Sequence, residues 1–93
     1  MNHYGELALR HWQKYRPNEY RAMSEAEKSQ FFDDLGEQIS DQIDDLAPTL
    51  EGQAPPGETF PQRLGRLNWA RLIAQEQVLR ETLPPEEGYQ PDQ

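Results

Sequence analysis

The run from Ser24 to Leu46 constrains this chain more than any other stretch. Phe32, Leu35, Ile39, Ile43 and Leu46 recur at three- and four-residue steps, with Phe31 at the edge of the same set. At about 100° per residue they fall within an arc of roughly 80°, the signature of an amphipathic helix. Asp33, Asp34, Glu37, Asp41, Asp44 and Asp45 fall on the opposite side. One face of this helix is built to be buried, and the other concentrates negative charge.

Local signals set its expected ends. Ser24 and Glu27 have the spacing of a capping box, and the acids of the first turn suit the helix dipole. Pro48 is expected to stop the helix, giving a span of about 25–46. Asp44 and Asp45 then stand in the last turn, against the dipole, where folding alone would not put them. Gly36, inside the helix and near its apolar face, costs about 1 kcal/mol relative to alanine and leaves room for a close approach by another helix.

Two further helices flank it. Tyr4, Leu7, Ala8, His11 and Tyr15 share a face over about 3–16, and Pro17 ends that segment. Residues 18–23 have room for one short helical turn. Residues 48–58 hold three prolines and two glycines and read as a crossover loop. Thr59 and Gln62 form a second capping box, opening a helix over about 60–83 that stops at Pro84-Pro85. Phe60, Leu64, Leu67, Ala74 and Val78 form one stripe of it. Trp69, Leu72, Leu79 and Leu83 form a second. Apolar cover this wide marks either the central helix of the fold or one that also faces a partner. The expected architecture is an all-α, three-helix bundle: one helical domain over 1–83 and a polar, disordered acidic tail over 84–93.

Charge is segregated along the chain. Residues 1–23 carry net +2, 24–58 net −9, 59–83 net +2 and 84–93 net −3, for −8 in all. That balance disfavours nonspecific binding to nucleic acid or anionic membrane. With no cysteine, disulfide and thiolate chemistry are excluded. There is no run of the roughly 20 apolar residues that a membrane span needs, and no signal-peptide pattern, so a cytoplasmic setting is expected.

The chemistry-bearing groups give few enzymatic leads. Ser24, Ser29 and Ser40 lack any nucleophile motif, and no glycine-rich phosphate loop occurs. His3 and His11 are eight residues apart, too far for a helical metal pair, and His11 reads as a packing residue. Asp33-Asp34-Leu35-Gly36-Glu37 spells a DDxxE pattern. It resembles a degenerate form of the acidic motif of all-α nucleoside triphosphate pyrophosphohydrolases, which implies Mg²⁺ held by helical acids. These acids lie opposite the apolar stripe, and the second motif of that family is missing. Two readings of the acidic face remain: a solvated surface partly neutralised by arginines of the flanking helices, or a docking surface for a basic protein. Arg71 projects into the first stripe of the third helix and needs a carboxylate partner. Arg66 and Trp69 on its outer side are residue types that dominate interface energetics. Direct DNA binding is disfavoured: the preceding loop is too long for a helix-turn-helix, and the acidic helix repels phosphates.

The segment His11-Trp12-Gln13-Lys14-Tyr15-Arg16-Pro17, the pair Phe31-Phe32 and the segment Gly65-Arg66-Leu67-Asn68-Trp69-Ala70-Arg71 resemble small helical proteins. Those proteins are carried on phages and plasmid-like elements of high-GC Gram-positive bacteria. The resemblance implies a regulatory or host-interfering role and carries over no residue function. The expected function is a non-enzymatic protein–protein interaction module without a cofactor, including the variant in which the acidic surface mimics DNA. Its expected contacts are Asp33, Asp34, Glu37, Asp41, Asp44 and Asp45, with Arg66, Trp69 and Arg71. The alternatives are the Mg²⁺-dependent pyrophosphohydrolase and a small nucleic-acid-binding protein; self-association fits either class.

Overall fold

The apolar stripe of the acidic helix does become the spine of the molecule. A computed structural model describes residues 1–89 and is built from helices: α1 (His3–Tyr15), α2 (Pro17–Ala22), α3 (Glu25–Glu51) and α4 (Phe60–Thr82). The long helices start as the sequence dictates. The Asn2 side chain accepts from the Gly5 amide, and both capping boxes, Ser24/Glu27 and Thr59/Gln62, are closed.

α3 is the central element. α1 and α4 each pack along it and scarcely touch each other. Both run antiparallel to it: Gly5 meets Gly36 while Trp12 meets Phe31 and Phe32, and Arg71 meets Asp44 while Leu83 packs beside Phe32. The result is a plate of 55 × 37 × 17 Å. Its core has two parts. Ile39, Ile43 and Ala47 pack against Ala74 and Val78 of α4, and Phe32 packs against Ala8 and Trp12 of α1. Phe32, Ile39 and Ile43, all on the expected stripe, are the largest fully buried side chains.

Pro48 does not stop α3, which continues to Glu51, so the loop spans 52–59 rather than 48–58. A proline costs the helix the bond to the carbonyl four residues earlier. Here Pro48 is exposed, so its ring meets no neighbouring helix and the Asp44 carbonyl that loses its bond is on the solvent side. The extra turn also buries Ala47 and lays Leu50 on the core, and the helix ends where Gly52 turns to φ 65°. Asp44 and Asp45 therefore sit in mid-helix, not in the last turn.

The first stripe of α4 is also corrected. Ala70, Ala74 and Val78 are buried, but Phe60 and Leu64 are exposed. Arg66 donates to the Glu51 carbonyl, so α4 begins beyond the end of α3 and its first turns have no helix to cover them.

The expected loose tail does not begin at Pro84. His11 Nε2 donates to the Pro84 carbonyl at 2.6 Å, Arg16 to the Pro85 carbonyl at 2.7 Å, and the Glu87 amide to the Tyr15 carbonyl at 2.8 Å. The Glu87 carboxylate accepts from the Glu19 amide in the first turn of α2, where helix amides lack partners. Residues 90–93 of the expected tail lie outside the described residues.

Candidate partner-binding face

α3 turns its core side toward α1 and α4, so its opposite side must face water. On that side Asp34, Glu37, Asp41 and Asp45 form a continuous ridge. All four are exposed, and none makes an ion pair among the described residues. Only the flanks are neutralised. Asp33 meets the Met1 ammonium at 3.3 Å, and Asp44 meets Arg71 at 3.2 Å. Among the described residues, Asp34 accepts only from Gln30. Neighbours at three- and four-residue spacing repel, at roughly 0.2–0.5 kcal/mol per like-charged pair.

Four of the seven arginines are paired with carboxylates away from this ridge. Arg10 faces Glu6, Arg16 binds Glu19, and Arg80 pairs with Glu76. Arg66 forks onto both Glu58 oxygens at 2.7 and 3.0 Å and also caps the C-terminus of α3 through the Glu51 carbonyl. A guanidinium there complements the negative end of the helix dipole. Arg66 thus locks the 52–59 loop, while Trp69 stands free on the outer side of α4.

The Arg66 fork has a pH signature. Hydrogen bonding from Arg66 holds the Glu58 carboxyl below its ordinary value near 4.5, although partial burial opposes this. A carboxyl with a depressed folded-state pKa stabilises above its unfolded pKa, and that contribution is lost as pH falls through the folded value. A carboxyl titration followed by NMR should place the Glu58 midpoint below 4.5, and Arg66→Ala should bring it back toward 4.5. An unchanged midpoint in that variant would refute the assignment. Glu19 is lowered by Arg16 first, and Glu27 first by the Ser24 amide.

An open groove of about 440 Å³ adjoins the ridge, lined by Met23, Glu27, Gln30, Phe31 and Asp34. Phe31 and Met23 supply its apolar lining, and Phe31 stacks edge-on against Trp12. The sequence hinted at this only through the position of Phe31 at the edge of the apolar arc.

Metal chemistry receives no geometric support from the acids of the DDxxE spelling: Asp33 is paired with the Met1 ammonium, and Asp34 and Glu37 lie exposed on the ridge. Among the described residues, no three His, Asp or Glu side chains converge as a metal site would require. No helix among them is long and apolar enough to cross a membrane. Comparison with family models, curated proteins and solved structures returned no match.

Proposed function

We propose that the protein is a non-enzymatic interaction module that docks a basic surface of another protein on the outer side of α3. The observation that carries this reading is the unpaired ridge of Asp34, Glu37, Asp41 and Asp45 on a molecule whose arginines are mostly spent on other carboxylates. Four like charges held at helical spacing oppose folding slightly, and a basic partner relieves that repulsion. The groove beside Phe31 takes an apolar side chain of the same partner, so the recognised element is a basic segment with one apolar anchor.

Charge density favours a local basic patch over mimicry of a DNA duplex. From Asp34 to Asp45 the ridge rises through eleven steps, about 16 Å at 1.5 Å per residue, or one charge per roughly 4 Å. Duplex DNA carries one per about 1.7 Å. The role this implies is regulatory or host-interfering: occupation of a basic surface on a target.

Capture from a lysate of the source cell tests the reading. The wild type is expected to retain proteins that elute as salt rises toward about 0.5–1 M, where the screening length falls to a few Å. Asp34→Lys/Asp41→Lys is expected to lose them. Equal recovery by both versions would show that the ridge is not the docking surface.

A further inference from the structure

The segment that follows α4 runs to a hinge between two other helices. Arg16 stands before Pro17 and is pushed out of the helical region, at φ −136° and ψ 56°, so it separates α1 from α2. Residues 84–89 grip both sides of this point. On the α1 side the Glu87 amide donates to the Tyr15 carbonyl at 2.8 Å, and on the α2 side the Glu87 carboxylate accepts from the Glu19 amide at 3.0 Å. Arg16 joins the two: its guanidinium donates to the Pro85 carbonyl at 2.7 Å and to the Glu19 carboxylate at 3.0 Å.

What this grip holds is the least anchored helix of the fold. α2 is six residues long and buries none of them fully. A helix that short does not persist on its own propensity, so its contacts decide whether it forms. Toward the core it offers Tyr20 and, at its C-cap, Met23, both half-buried beside the cluster of Ala8, Trp12 and Phe32. The other ties are polar. Trp12 Nε1 donates to the Glu19 carboxylate and Gln13 to the Tyr20 hydroxyl, each at 3.2 Å, and the Lys28 ammonium lies 4.2 Å from the centre of the Tyr20 ring. Residues 84–89 contain no fully buried side chain either. Segments held by exposed polar contacts open at lower free energy than helices with a buried apolar face. α3, with Phe32, Ile39 and Ile43 fully buried, stands at the other extreme.

We propose that residues 84–89 are a latch on α2 and, through Met23, on the groove beside the ridge. Met23 is both the C-cap of α2 and part of the apolar lining of that groove, whereas Phe31, the other apolar lining residue, belongs to α3. With the latch closed, α2 is docked and Met23 completes the lining. With the latch open, α2 loosens about the Arg16 hinge and the groove loses that wall, while the core between α3 and α4 stays folded. The coupling runs both ways: an apolar anchor that fills the groove favours docked α2, and so the closed latch, by the same factor. Glu87 is a positioning residue that acts on the groove through Glu19 and α2. The coupling rests on the docking reading only for what enters the groove, and the latch itself does not depend on it.

Amide hydrogen exchange of the full chain, followed by NMR, tests the latch without any partner. The Tyr20 amide, which donates to the Arg16 carbonyl at 3.0 Å, reports on α2. Glu87→Ala is expected to speed its exchange about tenfold, the effect of losing one hydrogen bond to a charged acceptor, and to move the Met23 methyl resonance. The Ile39 and Ile43 amides should change by less than about twofold. Glu87→Gln keeps a side-chain oxygen for the Glu19 amide, so it is expected to restore most of the Tyr20 protection and the Met23 resonance, a recovery that a general loss of stability would not show. Unchanged exchange at Tyr20 in Glu87→Ala would overturn the latch, as would an equal acceleration at Ile39 and Ile43. A Met23 resonance that does not move would overturn the link to the groove. These outcomes leave the capture experiment on the ridge unaffected.

Discussion

Phe32→Ala is expected to remove most of the stability of this protein, while Phe31→Ala one position earlier is expected to cost little. Phe32 is fully buried between Ala8 and Trp12 of α1, with Tyr20, Met23, Leu35 and Leu83 around it. It is the side chain through which α1, α2 and the end of α4 all meet α3. Truncating a buried phenylalanine costs about 3–5 kcal/mol, because the cavity only partly collapses. A chain of this length has about 5–14 kcal/mol in total, so the variant should be mostly unfolded a few degrees above room temperature if the wild type lies near the lower end. Phe31 keeps 40% of its surface in water and meets Trp12 and Phe32 edge-on. Its truncation should cost about 1 kcal/mol or less. Urea unfolding of the two variants side by side measures the difference. Similar losses would mean that the burial pattern of α3 is wrong at this turn.

Gly36→Ala carries the second large effect, and its sign opposes helix propensity. Alanine gains about 1 kcal/mol over glycine in a helix interior. A Cβ at Gly36, however, would stand 2.7 Å from the Gly5 nitrogen and 2.8 Å from the Gly5 Cα, and would also strike the Asn2 carboxamide that caps α1. Two of these are backbone atoms of the facing helix and cannot rotate away. α1 must retreat as a body, which draws Ala8 and Trp12 off Phe32. Overpacking of this kind costs about 1–3 kcal/mol at a side-chain contact, and more is expected where backbone meets backbone. The net expectation is a loss of about 2 kcal/mol or more, or about 10 °C in Tm. A Tm at or above that of the wild type would show that α1 and α3 do not cross at Gly5 and Gly36.

The sequence made α3 legible because its periodicity and its cap agree. Phe32, Ile39 and Ile43 occupy the stripe and fill the core, and the acids opposite them face solvent. Both capping boxes were readable because their partners lie three residues apart. What stayed hidden depends on neighbours distant in sequence. Pro48 obeys a local rule that ends helices, yet burial of Ala47 and Leu50 carries the helix past it. Periodicity placed Phe60 and Leu64 on the right side of α4 but says nothing of where α3 ends, and α4 overhangs it there. The segment from Pro84 to Tyr89 is polar in composition, but backbone carbonyls and the Glu87 carboxylate tie it down, and composition does not encode these. At the candidate site the ridge itself was legible. That Arg66 would turn to Glu58, leaving the ridge without it, was not, because the pairing runs across a helix cap rather than along a helix face.

The central claim is that α3 divides its labour: one side holds the fold, and the ridge serves only an outside partner. Thermal unfolding of Asp34→Lys/Asp41→Lys in low salt tests this most directly. If the ridge takes no part in folding, the substitutions replace repulsion from Glu37, Asp44 and Asp45 with attraction, at roughly 0.2–0.5 kcal/mol per pair. Tm should then equal or exceed that of the wild type by a few degrees. A fall of several degrees would mean that the acids stabilise the fold, and would contradict the account.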